Sequence, residues 1–164
     1  MGIALEDAVR IIAEAAGWKI AAPDEHGARH YLLEEGLDLD IESPDGRVLV
    51  ASADLGDAPE AGSPGADEEW VRIGKLAAGV MKRRASVLAA NEGRLELFRT
   101  VDLSQAGETE LVDAVRDFLN DEAWWRANLS AVPGQAASPF SMSGMGPVGW
   151  FPGELSFGGG MIAP

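Results

Sequence analysis

The run Leu37-Asp38-Leu39-Asp40-Ile41-Glu42 alternates apolar and acidic residues without a break. A period of two is the mark of a strand with one face in a core and the other in water. On a helix the same six residues would scatter acid and hydrocarbon around the whole circumference. Pro44-Asp45-Gly46 follows with turn chemistry, and Arg47-Val48-Leu49-Val50-Ala51 then reads as a second strand. Upstream, Arg29 to Leu33, ending at Gly36, supplies a strand before them. The expected centre of the fold is a three-stranded antiparallel meander.

Helical periodicity brackets this meander. Leu5, Ala8, Val9, Ile12, Ala15 and Ala16 recur at spacings of three and four, and Gly17 is a natural stop. Pro23 to Gly27 reads as a turn, and residues 56–66 form a connector rich in Gly and Pro. Asp67-Glu68-Glu69 place negative charge where a helix N-terminus favours it. That helix is expected from Glu68 to Arg83, with Trp70, Ile73, Ala77, Val80 and Met81 as apolar positions. Lys82-Arg83-Arg84 at its end carry the sign that a C-terminus favours. Ser86–Ala90 and Arg94–Leu103 read as a hairpin turned by Asn91-Glu92-Gly93, with Leu95, Leu97, Val101 and Leu103 on one face. A last helix runs from Thr109, its expected N-cap, to Leu129, with a stripe of Leu111, Val115, Phe118, Leu119 and Trp125. The order α-β-β-β-α-β-β-α predicts an α+β fold: an antiparallel sheet of about five strands flanked by three helices.

Composition breaks at Ala131. The final 34 residues hold eight Gly and five Pro, and Glu154 is the one charged side chain among them. Phe140, Trp150, Phe151, Phe157 and three Met make this stretch sticky rather than solvating. The chain is therefore read as a domain over 1–130 and a Gly/Pro/aromatic tail over 131–164. Such a tail is a flexible spacer or, on a sharper reading, a docking segment that orders on a partner or on the domain itself.

Charge and residue inventory exclude several functions. Asp and Glu number 27 against 13 Lys and Arg, a formal charge of −14 that repels nucleic acid and anionic lipid. No Cys means no thiolate metal site and no thiol nucleophile. No apolar stretch reaches the ~20 residues of a membrane span. The N-terminus is acidic where a secretory signal would be basic, so a cytoplasmic protein is expected. His26 and His30 are four apart, but on a strand that is about 13 Å, too far to share a metal. Asp38, Asp40, Glu42 and Asp45 superficially suggest a calcium loop, yet Ser43 stands where the loop needs Gly. No nucleophile-elbow serine and no phosphate-binding glycine loop is found. Neither catalytic residues nor a cofactor or metal site is expected. One spacing is more pointed: Gly74 and Ala78 are one turn apart inside a predicted helix. A mid-helix Gly costs ~1 kcal/mol relative to Ala, so a close neighbour is expected there, either the chain's own sheet or a second subunit.

The stretch "RRASVLAANEGRLELFRTVDLS" running into "ETELVDAVRDFLNDEAWWRANL", together with "GRVLVASADLGDAP", resembles the class I type III secretion chaperones, the Tir-chaperone-like family. Members likewise close on a helix with a Phe-Leu pair followed by a Trp, and end their third strand in Leu-Gly before a Pro-containing loop. The resemblance covers residues 1–130; the long connector and the aromatic tail depart from it. It implies a cytoplasmic bacterial homodimer without catalysis. Its partner would be a secreted effector, whose N-terminal segment it keeps extended and secretion-competent. The resemblance places the dimer seam on the second helix and the strand after it, here at Leu76, Ala77, Val80 and Val87. Client contacts fall on the first helix and the sheet, here at Ile11 and Leu33. Two other readings stay open at this point: an adaptor domain of similar fold outside secretion, and a small cytosolic enzyme using carboxylates and His30.

Overall fold

The alternating run forms an inner strand of a five-stranded, wholly antiparallel sheet. The computed structural model describes residues 2–130, so the tail read from sequence over 131–164 lies outside the described residues. In chain order the elements are α1 (Leu5–Ala16), β1 (Arg29–Leu32), β2 (Asp38–Glu42), β3 (Val48–Asp57), α2 (Ala66–Val80), β4 (Val87–Asn91), β5 (Arg94–Asp102) and α3 (Glu108–Leu129). The sheet order is β1-β2-β3-β5-β4, so the meander and the hairpin join through β3 and β5. The expected α+β architecture, with its element order, is the one observed.

Local chemistry explains the punctuation. Gly17 ends α1 in the left-handed region (φ 71°), which lets the amide of Trp18 donate back to the Ala13 carbonyl at 2.8 Å. Glu92 and Gly93, both at positive φ, make the two-residue turn between β4 and β5, the geometry that matches strand twist. One face of the sheet is covered by α1 and α3. Val9 and Ile12 from α1 meet Phe118 and Trp125 from α3 over Leu39, Ile41, Leu49 and Leu97, all buried. Each such side chain contributes roughly 1.5–3 kcal/mol by leaving water.

Three elements, β3, α3 and α2, differ from the sequence expectation in ways that have a local cause. β3 runs on to Asp57 instead of stopping at Ala51, because the nine-residue β5 pairs along its whole length, across a bulge at Asp54/Gly56. α3 starts at Glu108 with Gly107 as its cap, so Thr109 is already helical. α2 starts at Ala66 and stops at Val80, short of Arg83. The amides of Arg83 and Arg84 both donate to the Val80 carbonyl, closing the helix with a tight turn. The Arg84 side chain, however, does not serve the helix end. Its guanidinium pairs with Asp121 of α3 at 2.5 Å and lies over the ring of Trp124. Trp70 and Met81, expected on the apolar stripe of α2, turn outward instead.

Candidate functional site

The inward seam of α2 is narrow: Ala66, Ile73 and Val80 are buried, seven residues apart, with Leu76 and Ala77 half-buried beside them. The rest of the helix is open. Val71, Gly74, Ala78 and Met81, spaced three, four and three, form an exposed apolar stripe of small and flexible side chains. A Cβ built on Gly74 meets nothing within 4 Å. The chain's own sheet is thus not the neighbour that this mid-helix glycine accommodates. β4 pairs with β5 alone among the described residues and presents Val87, 64% exposed, at an open sheet edge.

A second apolar surface lies at the other edge of the sheet. β1 pairs with β2 alone among the described residues, and its Leu32 is 91% exposed. Ile20, also exposed, precedes it in the loop after α1. That loop is held firmly. The buried Arg29 guanidinium takes both carboxylate oxygens of Glu6, at 2.6 and 2.7 Å, and donates to the Ala21 carbonyl. The rings of Trp18 and Tyr31 meet at a tilt of 38°, with centroids 5.4 Å apart. Between α1 and α3 runs a third feature, a groove of about 480 Å³ floored by Ile11, Ala15 and Val112 and rimmed by Glu14, Glu108 and Asp113.

The residues singled out from sequence fall as follows. Val87 faces outward, Leu76 and Ala77 flank the inward side of α2, and Val80 packs in its own chain's core. Val80 points inward because it stands seven residues, two turns, after the buried Ile73. Ile11 is half-buried on the floor of the α1–α3 groove, and Leu33 is half-buried against the core next to exposed Leu32. Sequence reasoning missed Leu32 and Val71. Their signal was an apolar residue out of phase with the buried set.

His30 does meet carboxylates. Its Nδ1 lies 2.5 Å from Asp40 and its Nε2 3.1 Å from Asp24, and these two acids raise its pKa, Asp40 more strongly. The ring is more than half exposed on the open face of the sheet, outside the concavities lined by α2 and by α1 and α3. It pins the Asp24 turn to β2 and encloses no substrate-sized space. Among the described residues no cluster of three or more metal-ligating side chains is present, and no helix is long and apolar enough to cross a membrane.

No protein-family model matches the sequence, and no curated protein matches it. The fold does have counterparts. A chain in the crystal structure of the ExsC–ExsE complex superposes with a TM-score of 0.55 at 17% identity, over 79% of this chain and 97% of that one. The Yersinia pestis type III secretion chaperone SycH, solved in complex with a stable fragment of YscM2, gives 0.50 at 11%, over 71% and 94%. A chain of the HopA1–SchA chaperone–effector complex gives 0.54 at 13%, over 74% and 92%. The chain has the fold of the class I type III secretion chaperones that its sequence resembles.

Proposed function

We propose that this chain is a non-catalytic binding protein: a homodimeric, cytoplasmic chaperone that holds the N-terminal segment of a secreted effector in an extended, secretion-competent form. The observation that carries the reading is the open stripe Val71–Gly74–Ala78–Met81 with Gly74 uncovered. A helix that keeps a glycine in its middle and hydrocarbon on its outer face gains stability from a second copy laid along it. In this arrangement the seam runs along that stripe, with Leu76 and Ala77 at its flank, and continues onto Val87 of β4. Val80 supports the seam from beneath.

The client surfaces follow from the same logic. The β1 edge offers unpaired backbone to an added strand, and Leu32 offers hydrocarbon beside it. The floor of the α1–α3 groove at Ile11 and the Leu33 position extend this apolar surface on the same domain. A net charge of −14 keeps such surfaces soluble and favours basic client segments. The solved proteins sharing the fold include a secretion chaperone with a bound fragment and a chaperone with its effector, which supports a client-binding role.

Light scattering on the purified full chain tests the pairing. A dimer is expected, and Ala78→Arg or Val87→Asp should yield a folded monomer. A wild-type monomer sinks the pairing. Co-expression with the N-terminal segment of an effector encoded beside its gene tests the client. A stable complex in which the segment remains protease-sensitive once released is expected, weakened by Leu32→Asp. No complex with any such segment sinks the chaperone reading.

A further inference from the structure

Glu122 sits where a hydrophobe is due. It stands four residues after Phe118 and three before Trp125, on the inward stripe of α3, and is fully buried. Its Oε1 accepts from the Asp38 amide of β2 at 3.1 Å and from Arg126 Nε at 2.8 Å. Its Oε2 is buried and has no hydrogen-bond partner among the described residues.

The charges around it do not balance. Arg126, one turn on, also bonds the Asp38 carboxylate and donates to the Asp54 carbonyl at the β3 bulge, at 2.8 Å. From β3, Asp54 faces this cluster, but it and Asp57 are already engaged by Arg94 of β5. On α3 itself, Asp121 is turned away to Arg84 and Ser86. From α2, Arg72 reaches α3 only a turn and a half further on, at the carbonyls of Asn128 and Leu129. One guanidinium therefore serves two carboxylates, Asp38 and Glu122, and the latter has no access to water. The lowest-cost way to neutralise such a site is to keep a proton on the buried acid.

We infer that Glu122 is a proton-operated latch: protonated, it holds the last two turns of α3 on the start of β2 and the bulge of β3, and on losing its proton it releases them. The proton belongs on Oε2, which lacks a donor to stabilise a negative charge. Burial raises the pKa of Glu122 to about 7, against the opposing pull of Arg126, so the latch works within the range a bacterial cytoplasm and its surroundings cover. Release frees Arg126 from three partners at once, which loosens the sheet end where the chain leaves α3.

Amide hydrogen exchange on the full chain, corrected for intrinsic rates, tests the latch between pH 6 and pH 8. The Asp38 amide and the amides of the last two turns of α3 should open at least tenfold more at pH 8. Glu122→Gln, a neutral mimic of the protonated acid, should keep them closed at both pH values. Carbon-detected titration of the Glu122 carboxyl should give a midpoint near 7. A midpoint near 4.5 overturns the inference, and so does equal protection at both pH values. The same pH response in Glu122→Gln assigns the opening to another group, with His30 the first suspect, and likewise overturns it.

Discussion

α3 and α2 are both amphipathic helices of one domain, and they are used in opposite ways. α3 buries nine of its 22 residues, from Leu111 to Asn128, and touches α1, β3 and β5. α2 buries only Ala66, Ile73 and Val80 out of 15, half-buries Glu69, Arg72, Leu76 and Ala77, and leaves the remaining eight exposed. Even the polar groups divide this way. Asp121 and Glu122 of α3 lie inside the protein, whereas Asp67 and Glu68 of α2 are exposed. The lesson is that burial is concentrated on α3, which leaves the outer face of α2 free for the pairing proposed above. The domain stands on α3, and α2 is attached by a thin seam with its broad face to spare.

That division can be broken experimentally. Phe118→Ala should cost about 3–5 kcal/mol in denaturant unfolding, the range for emptying a large core site. Val71→Ala on the outer face of α2 should stay within about 0.5 kcal/mol for the monomer. Comparable losses at the two positions would erase the contrast. The pH dependence is next in size. Glu122 holds its proton in the folded state up to about 7, whereas an unfolded glutamate releases it near 4.5. The native state therefore binds more protons across that window, and stability must fall as pH rises through it, by about 3 kcal/mol in all. Glu122→Gln should flatten this slope in thermal melts taken from pH 5 to pH 8. A smaller slope of the same sign should survive, since the pKa of His30 is also raised.

The pin between the two helices comes third. Arg84→Ala and Asp121→Ala should each cost about 1–3 kcal/mol, and the double variant less than their sum, because the two groups share one partly buried contact. Strict additivity would show that the pair does not act as a unit. Gly74→Ala is the smallest change and the sharpest. In an isolated domain it should add ~1 kcal/mol, since Ala is the better helix former and the space is open. If a second copy lies against that glycine, the same substitution should instead weaken dimerisation in a dilution series. A gain in both quantities would remove Gly74 from the seam.

How far the sequence could be read depended on how directly each residue reports its own surroundings. Leu39, Ile41, Leu95 and Leu97 declared their face by alternation, and Gly17 declared a helix end. β3 was read short because Ala51, Ser52, Ala53 and Asp54 have weak strand preference, and pairing with β5 carries them. Trp70 and Met81 were read as apolar positions of the helix, yet they lie about a sixth and about a quarter of a turn off the line through Ala66, Ile73 and Val80 and face outward. Glu122 was not singled out from the sequence. Its place on the stripe between Phe118 and Trp125 was the available signal, and only the three-dimensional neighbourhood shows that it is sealed. The open edges at Leu32 and Val87 were not legible, because strand order within a sheet depends on long-range pairing.

The N-terminal helix has a consequence for how this protein comes into being. α1 is made first, yet its principal partner is α3, about a hundred residues later in the chain, and the Ile3 amide closes on the Leu103 carbonyl at 2.8 Å. The strands that α1 and α3 cover are synthesised in between. On a ribosome adding residues in order, the meander and the hairpin can form locally, but the core cannot shut until the final helix emerges. Until then α1 presents Val9 and Ile12 to whatever is near. A nascent chain stalled before residue 118 is thus an unfinished fold with both halves of its core unpaired, and the turns of α3 decide whether those of α1 were worth making.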